Sequence, residues 1–277
     1  MKQKVGKQNG GRIALSALAL FASACEPGTG GRPITFTLAL SSASVAQGAP
    51  HGRFVTHTGW EVTIEEACIA VGPVYFFAGA SHLQQAARVR GVAERLSTLL
   101  WPRAHAHPGD THFRGGEVRG EWLGQVALDA LAPAATPLGD QNGLAGAVGS
   151  FSLRLDPPGG PLIDDPCLRG HHAWAHGTAS KDGAQIAFEG GLDIAAVGTN
   201  RRVDGLPLVG AFEDGTAVVI AVRPSVWFDQ AEFDSLVKKA PSGRWQITPE
   251  SQVHRAWFIG ARANGAFVGE VTGPQVR

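Results

Sequence analysis

Apolar and polar positions alternate with a period near two over most of the chain. The stretch 34–40 (ITFTLAL) alternates and then runs apolar. A longer strand-like stretch runs from Trp60 to Phe77 and is broken at Gly72-Pro73. Within it Trp60, Val62 and Ile64 fall on one face, as a half-buried strand requires. Asn142-Gly143, Asp182-Gly183, Asp214-Gly215 and Asn264-Gly265 are tight-turn signals, because these pairs tolerate the positive φ of a type I′ turn. The last three have apolar flanks, which predicts hairpins joining 172–179 to 184–188, 206–212 to 216–222, and 257–261 to 267–271. Repeated hairpins without intervening helices predict a mainly β chain folded as an antiparallel β-sandwich.

One segment has the other period. Leu83, Ala87, Val92, Leu96, Leu99 and Leu100 recur near 3.6, Ser81 and Gln84 match a capping box, and Pro102 ends the run. This predicts one helix inserted near 81–101, although Gly91 weakens it by about 1 kcal/mol relative to Ala. A short second helix is expected after Phe228, over 229–236.

The start of the chain is not part of this pattern. Lys2, Lys4, Lys7 and Arg12 precede a short apolar run from Ile13 to Phe21, and Ala22-Ser23-Ala24 then precede Cys25. A positive head, a short apolar middle and small residues at a cut make a signal peptide over 1–24. The run is shorter than the roughly 20 apolar residues of a spanning helix. Small residues before Cys25 resemble the lipobox of bacterial lipoproteins, except that Ala22 stands where that family usually has Leu. The resemblance implies lipidation of Cys25, a Gly/Pro-rich tether over 25–33, and a lipid-anchored, periplasm-facing protein of the cell envelope. Glu26, where an Asp would suggest inner-membrane retention, leans this toward the outer membrane. Ordinary signal peptidase cleavage, releasing a soluble periplasmic protein, is the alternative.

The leader carries four basic and no acidic residues. Removing it leaves 20 basic against 24 acidic side chains, a net charge of about −4 with His neutral. A nucleic-acid binder should be basic, so that class is excluded. Residues 34–277 suit one β-rich domain. With Cys25 lipidated, Cys68 and Cys167 remain, and an oxidising compartment lets them bridge.

The densest chemical signal is Ala104-His105-Ala106-His107-Pro108-Gly109-Asp110-Thr111-His112. In an extended segment His105 and His107 point the same way, and His112 returns across the Pro-Gly bend. Imidazole suits Zn or Cu(II), and the lack of any Met after Met1 argues against a thioether Cu(I) site. His57 is a further candidate ligand. His172 and His176 lie about 13 Å apart at strand rise, too far to share an ion. Gly59-Trp60-Glu61-Val62-Thr63 and Val226-Trp227-Phe228-Asp229 resemble stretches of uncharacterised myxobacterial-type lipoproteins and of the periplasmic copper-binding partners of methanobactin systems. That resemblance implies β architecture and export, and no functional residue is carried over from it.

Enzyme signals are poor. Gly-x-Ser-x-Gly and His-Glu-x-x-His are absent, and neighbouring acids such as Glu65-Glu66 are expected on opposite strand faces. Two functions remain. One is binding or delivery of Zn or Cu(II) through His105 and His107, joined by His112 or His57. The other is a non-catalytic β-sandwich module for a glycan, envelope polymer or envelope protein partner, for which Trp60, Trp174, Trp227 and Trp257 are stacking candidates, although their apolar neighbours favour core packing.

Overall fold

A computed structural model of the chain describes residues 31–43, 52–81 and 115–273. Residues 25–30 with Cys25, the segment 82–114 with most of the expected helix, and His105, His107 and His112 lie outside the described residues, and the stretch expected as tether ends early, because Pro33 already opens the first strand. The described residues from Arg32 onward belong to one compact unit.

Its secondary structure is mainly β. The strands are β1 (Pro33–Ser42), β2 (Arg53–Val55), β3 (Glu61–Val71), β4 (Val74–Phe77), β5 (Val118–Trp122), β6 (Val126–Asp129) and β7 (Thr136–Leu144). They continue as β8 (Gly146–Arg154), β9 (Ala173–Lys181), β10 (Ala184–Leu192), β11 (Arg202–Phe212), β12 (Ala217–Val222), β13 (Trp245–Ile247) and β14 (Phe267–Thr272). Two helices, α1 (Pro224–Trp227) and α2 (Gln252–Gly260), sit near the end.

The strands form two sheets. The larger has the order β11-β8-β4-β5-β7-β1-β12-β14, and the smaller β13-β10-β9-β3-β2 with β6 also on β3. Pairing is antiparallel except for β1 with β12 and β10 with β13. The chain passes from one sheet to the other at Gly72, whose φ of +120° is available to glycine at little cost.

The larger sheet curls until its two edges meet. A Cβ on Gly210 of β11 would stand 2.7 Å from Val271 Cβ on β14, and one on Gly269 of β14 would stand 2.7 Å from Leu208 Cδ1 on β11. Alternation in β1 turns Phe36, Leu38 and Leu40 inward. Phe36, Phe76, Phe151 and Phe212 fill the curl, with ring centroids 4.6–6.4 Å apart. Burying each such ring stabilises the fold by roughly 1.5–3 kcal/mol. Gly120 and Gly143 lie against the Phe36 ring where a Cβ would collide with it.

The smaller sheet and the two helices enclose a second aromatic group. Phe188 stacks near Phe233 at 4.7 Å, Phe228 meets Trp257 at 5.0 Å, and Trp227 lies parallel to Trp257 at 5.9 Å. α2 starts at Ser251, whose Oγ accepts from the His254 N–H at 3.1 Å.

Several local expectations are corrected. Asp182-Gly183 does turn β9 into β10, with φ of +50° and +81°. Asp214-Gly215 also turns, but β11 pairs with β8 and β12 with β1 and β14. The turn is engaged by β1 instead: the Thr35 N–H donates to Asp214 Oδ1 at 3.0 Å, and the Gly215 N–H to the Thr35 carbonyl at 2.9 Å. Asn142-Gly143 lies inside β7, where Gly143 allows close approach to Phe36. Trp257 belongs to α2, so no hairpin joins 257–261 to β14, and Asn264-Gly265 opens a 3-10 turn. The helix expected over 229–236 shrinks to a 3-10 turn at Phe233–Ser235, and α1 lies just before it.

Candidate surface on the smaller sheet

The outer face of the smaller sheet carries a grouping of polar and ionisable side chains. It depends on an irregularity in β3. Ile64 pairs with Gly177 of β9, yet the next pair is Glu66 with His176, so Glu65 is an extra residue without an opposite number. Such a bulge lets two consecutive side chains reach one face. Both glutamates stay at least partly exposed, while Val62 and Ile64 before them and Ala67 and Ile69 after them are buried. The expectation that these acids point to opposite sides is therefore wrong here.

Strand β9 supplies the centre. Its burial alternates, with Ala173, Ala175 and Ala179 inward and Trp174, His176 and Thr178 outward. His176 Nδ1 lies 3.0 Å from Glu66 Oε2, and its Nε2 lies 3.4 Å from Glu65 Oε2. Each carboxylate also meets an arginine at 2.9 Å, Arg169 on Glu66 and Arg244 on Glu65. The result is a row of alternating basic and acidic side chains, Arg244–Glu65–His176–Glu66–Arg169. A neutral imidazole can donate to only one of the two carboxylates, whereas imidazolium donates to both.

The row continues onto an aromatic. The Arg169 guanidinium lies 4.5 Å from the centre of the Trp174 ring, and the His171 ring is stacked on Trp174 at 5.6 Å. Gly191, the partner of Trp174 on β10, leaves room for His171, because a Cβ there would occupy the imidazole's position. Arg169 arrives from the β3 side through Glu66, so the indole is flanked from both neighbouring strands. Trp174 Nε1 is buried and has no hydrogen-bond partner.

Beyond His171 the row ends on a shared carboxylate. Asp193 holds His171 Nδ1 at 2.9 Å and faces His172 Nδ1 at 3.4 Å. His172 is only 6% exposed, and its Nε2 has no partner. Burial lowers the His172 pKa, overcoming the hydrogen bond to Asp193 that would raise it. Burial by itself would raise Asp193, but its hydrogen bond to His171, the His171 charge and the contact with His172 bring it below the ordinary carboxylate value. His254, buried on α2, is also lowered by desolvation.

The residues singled out in the sequence fare differently. Cys68 and Cys167 are bonded to each other, with Cα atoms 5.8 Å apart. Among the described residues, Glu66, Cys68 and Cys167 form the one group of three potential ligand atoms within 4.8 Å, and its two sulfurs are spent on the disulfide. His57 is exposed and stands in no such group; its backbone N–H donates to Asp229 O at 2.9 Å. The two nitrogens of His176 face different carboxylates, which suits an ion-pair row and not a single coordinated ion. Trp60, Trp227 and Trp257 are core residues at 2% exposure or less, and Trp174 alone of the four stacking candidates is half-buried.

The bulge was not legible in the sequence, because residues 67–71 (ACIAV) form an unbroken small and apolar run, all of it buried, with no alternation to carry a phase. The roles of Arg169 and Arg244 had no signal either, since they reach Glu66 and Glu65 from 103 and 179 positions away. No protein-family model matches this chain, and neither a curated protein nor a solved structure matches it.

Proposed function

We propose that the chain is a lipid-anchored, non-catalytic binding module of the cell envelope whose recognition surface is the outer face of the smaller sheet. The observation that carries this reading is the bulge at Glu65, which brings two adjacent carboxylates onto one imidazole and sets an arginine on each. A strand that served only to cover a core would gain nothing from placing like charges side by side. The row has cationic, anionic and aromatic members within one strip. Its complement is an envelope polymer carrying amines for Glu65 and Glu66, carboxylates for Arg169 and Arg244, and sugar rings for Trp174. Peptide-crosslinked glycan has all three. The sequence supports the location, through the leader, Cys25 and the Gly/Pro-rich stretch after it.

Co-sedimentation of the leaderless protein with purified peptidoglycan sacculi tests this. Binding is expected at low salt, weakened as salt screens exposed charges, and lost in Glu65→Ala/Glu66→Ala/Arg169→Ala. Equal sedimentation of this variant and the parent would refute the assignment of the surface.

The stretch from His105 to His112 supports a second proposal, binding of Zn or Cu(II), on the strength of its ligand spacing. Metal analysis of the mature protein tests it. One equivalent of Zn or Cu lost in His105→Ala/His107→Ala supports that reading, and protein free of metal after incubation with either ion at neutral pH refutes it.

A further inference from the structure

Trp174 is the aromatic member of the proposed surface, yet Arg169 and His171 stand over it. Both come from the loop between β8 and β9. That loop is tied to β3 by the Cys68–Cys167 bond, two residues before Arg169. On the strand side, Cys68 is two residues after Glu66, the carboxylate that Arg169 meets, and is paired with Trp174 itself. The bond thus fixes the loop at the point from which it covers the indole. We infer that the Cys68–Cys167 disulfide is a redox latch: it holds Arg169 over Trp174, and its reduction opens that side of the indole to a ligand. The inference rests on the reading of this face as a binding surface.

Three observations support it. The covered state leaves Trp174 Nε1 buried without an acceptor. A donor held away from both water and protein disfavours that state unless something else enforces it. The ties of Arg169 itself are few: beside the buried Leu168 it makes a partly exposed ion pair, and Asp165 Oδ1 accepts from the Cys167 and Leu168 N–H groups within the loop. His171, by contrast, is also held by Asp193 and lies next to His172, which is bonded through its backbone to β3 and to Leu192. The two ends of the bond also differ: Cys68 is fully buried, whereas Cys167 is half-buried on the loop and is the end that reduction would reach first.

The chemistry balances with a dithiol reductant. Its thiolate attacks Cys167 Sγ, the S–S bond breaks, and the electron pair leaves on Cys68 Sγ, which takes a proton. The reductant's second thiol then displaces Cys167 as a thiol and leaves the reductant as a disulfide. Two electrons and two protons pass to the protein.

Peptide-resolved oxidative footprinting of the leaderless protein, oxidised and after treatment with dithiothreitol, tests the latch. The expected result is a severalfold rise in labelling of Trp174 on reduction, with Trp60, Trp227 and Trp257 unchanged, and reversal on reoxidation. Arg169→Ala with the disulfide intact should raise Trp174 labelling without reduction. Unchanged Trp174 labelling after complete reduction would overturn the latch. So would a parallel rise at the three buried tryptophans, which would mean general unfolding. Because labelling needs no ligand, this outcome is independent of whether sacculi bind.

Discussion

Closure of the larger sheet is decided by two glycines, and their replacement by alanine has a sign that depends on it. Neither Gly210 nor Gly269 has a positive φ, so alanine is allowed at both. At such a position Gly→Ala ordinarily stabilises by about 0.4–1 kcal/mol, because it restricts the unfolded chain. If β11 and β14 were open edges, Gly210→Ala would therefore raise stability. In the closed seam the new methyl stands 2.7 Å from Val271 Cβ and 3.0 Å from both of its γ carbons. A valine Cβ is not the loose end of a side chain, so the backbone must give. Overpacking of this kind costs roughly 1–3 kcal/mol; at mid-range, about 2 less an entropic gain of about 0.7 leaves a net loss of about 1.3 kcal/mol. For a domain of this size that lowers Tm by roughly 3–5 °C. Gly269→Ala meets Leu208 Cδ1 at 2.7 Å and Phe151 Cε1 at 2.9 Å. Those atoms belong to residues buried to 1% exposure or less, so a loss is expected there as well. Gly273→Ala, with nothing within 4 Å, is the control and should be neutral or slightly stabilising. Thermal and urea unfolding of the leaderless protein, followed by circular dichroism, give the comparison. A Tm for Gly210→Ala equal to or above that of the parent would refute the closed seam.

Cys68→Ala/Cys167→Ala should cost up to about 4.7 kcal/mol in the chain-entropy treatment of a loop this long, since the bond spans 99 positions; urea midpoints under oxidising conditions measure it, and a midpoint equal to or above the parent's would contradict a stabilising bond. Acid should weaken the fold in two stages. His172 and His254 have folded pKa values below the unfolded one, so their contribution is complete above about pH 6.5 and declines as pH falls from there toward the folded values. Asp193, lowered relative to an unfolded carboxylate, contributes above about pH 4, and that contribution goes as pH drops through its folded value. His172→Gln should flatten the first stage in a series of Tm measurements, and an unchanged slope would contradict the buried neutral imidazole. Ser251→Ala removes the side-chain acceptor at the start of α2 and should cost about 1 kcal/mol, read as a shift in the urea midpoint.

The two-residue period gave the class of fold and most of the core without any tertiary information. In β1 the inward set Ile34, Phe36, Leu38 and Leu40 is the apolar set of the sequence, because each strand presents alternate residues to each face. Asp182-Gly183 was equally legible, since its turn joins neighbouring strands and depends only on local backbone preference. The same kind of dipeptide failed at Asp214-Gly215 because turn chemistry specifies a reversal and not the partner. There β1 takes up the turn's hydrogen bonds and pairs with β12. Trp257 and its neighbours read as a strand, yet the face they bury against Trp227 and Phe228 is helical.

By itself, then, the order of residues settled the strand-rich class and the alternating core faces, while the bulge in β3 emerged only from its pairing with β9. Tertiary structure alone decided which strands became neighbours, that β11 and β14 meet, and that Arg244, Glu65, His176, Glu66 and Arg169 form one row. The physical reason is range. Side-chain direction and turn preference act over a few bonds and are written locally, whereas an ion pair between Glu65 and Arg244 depends on how all the intervening chain is packed.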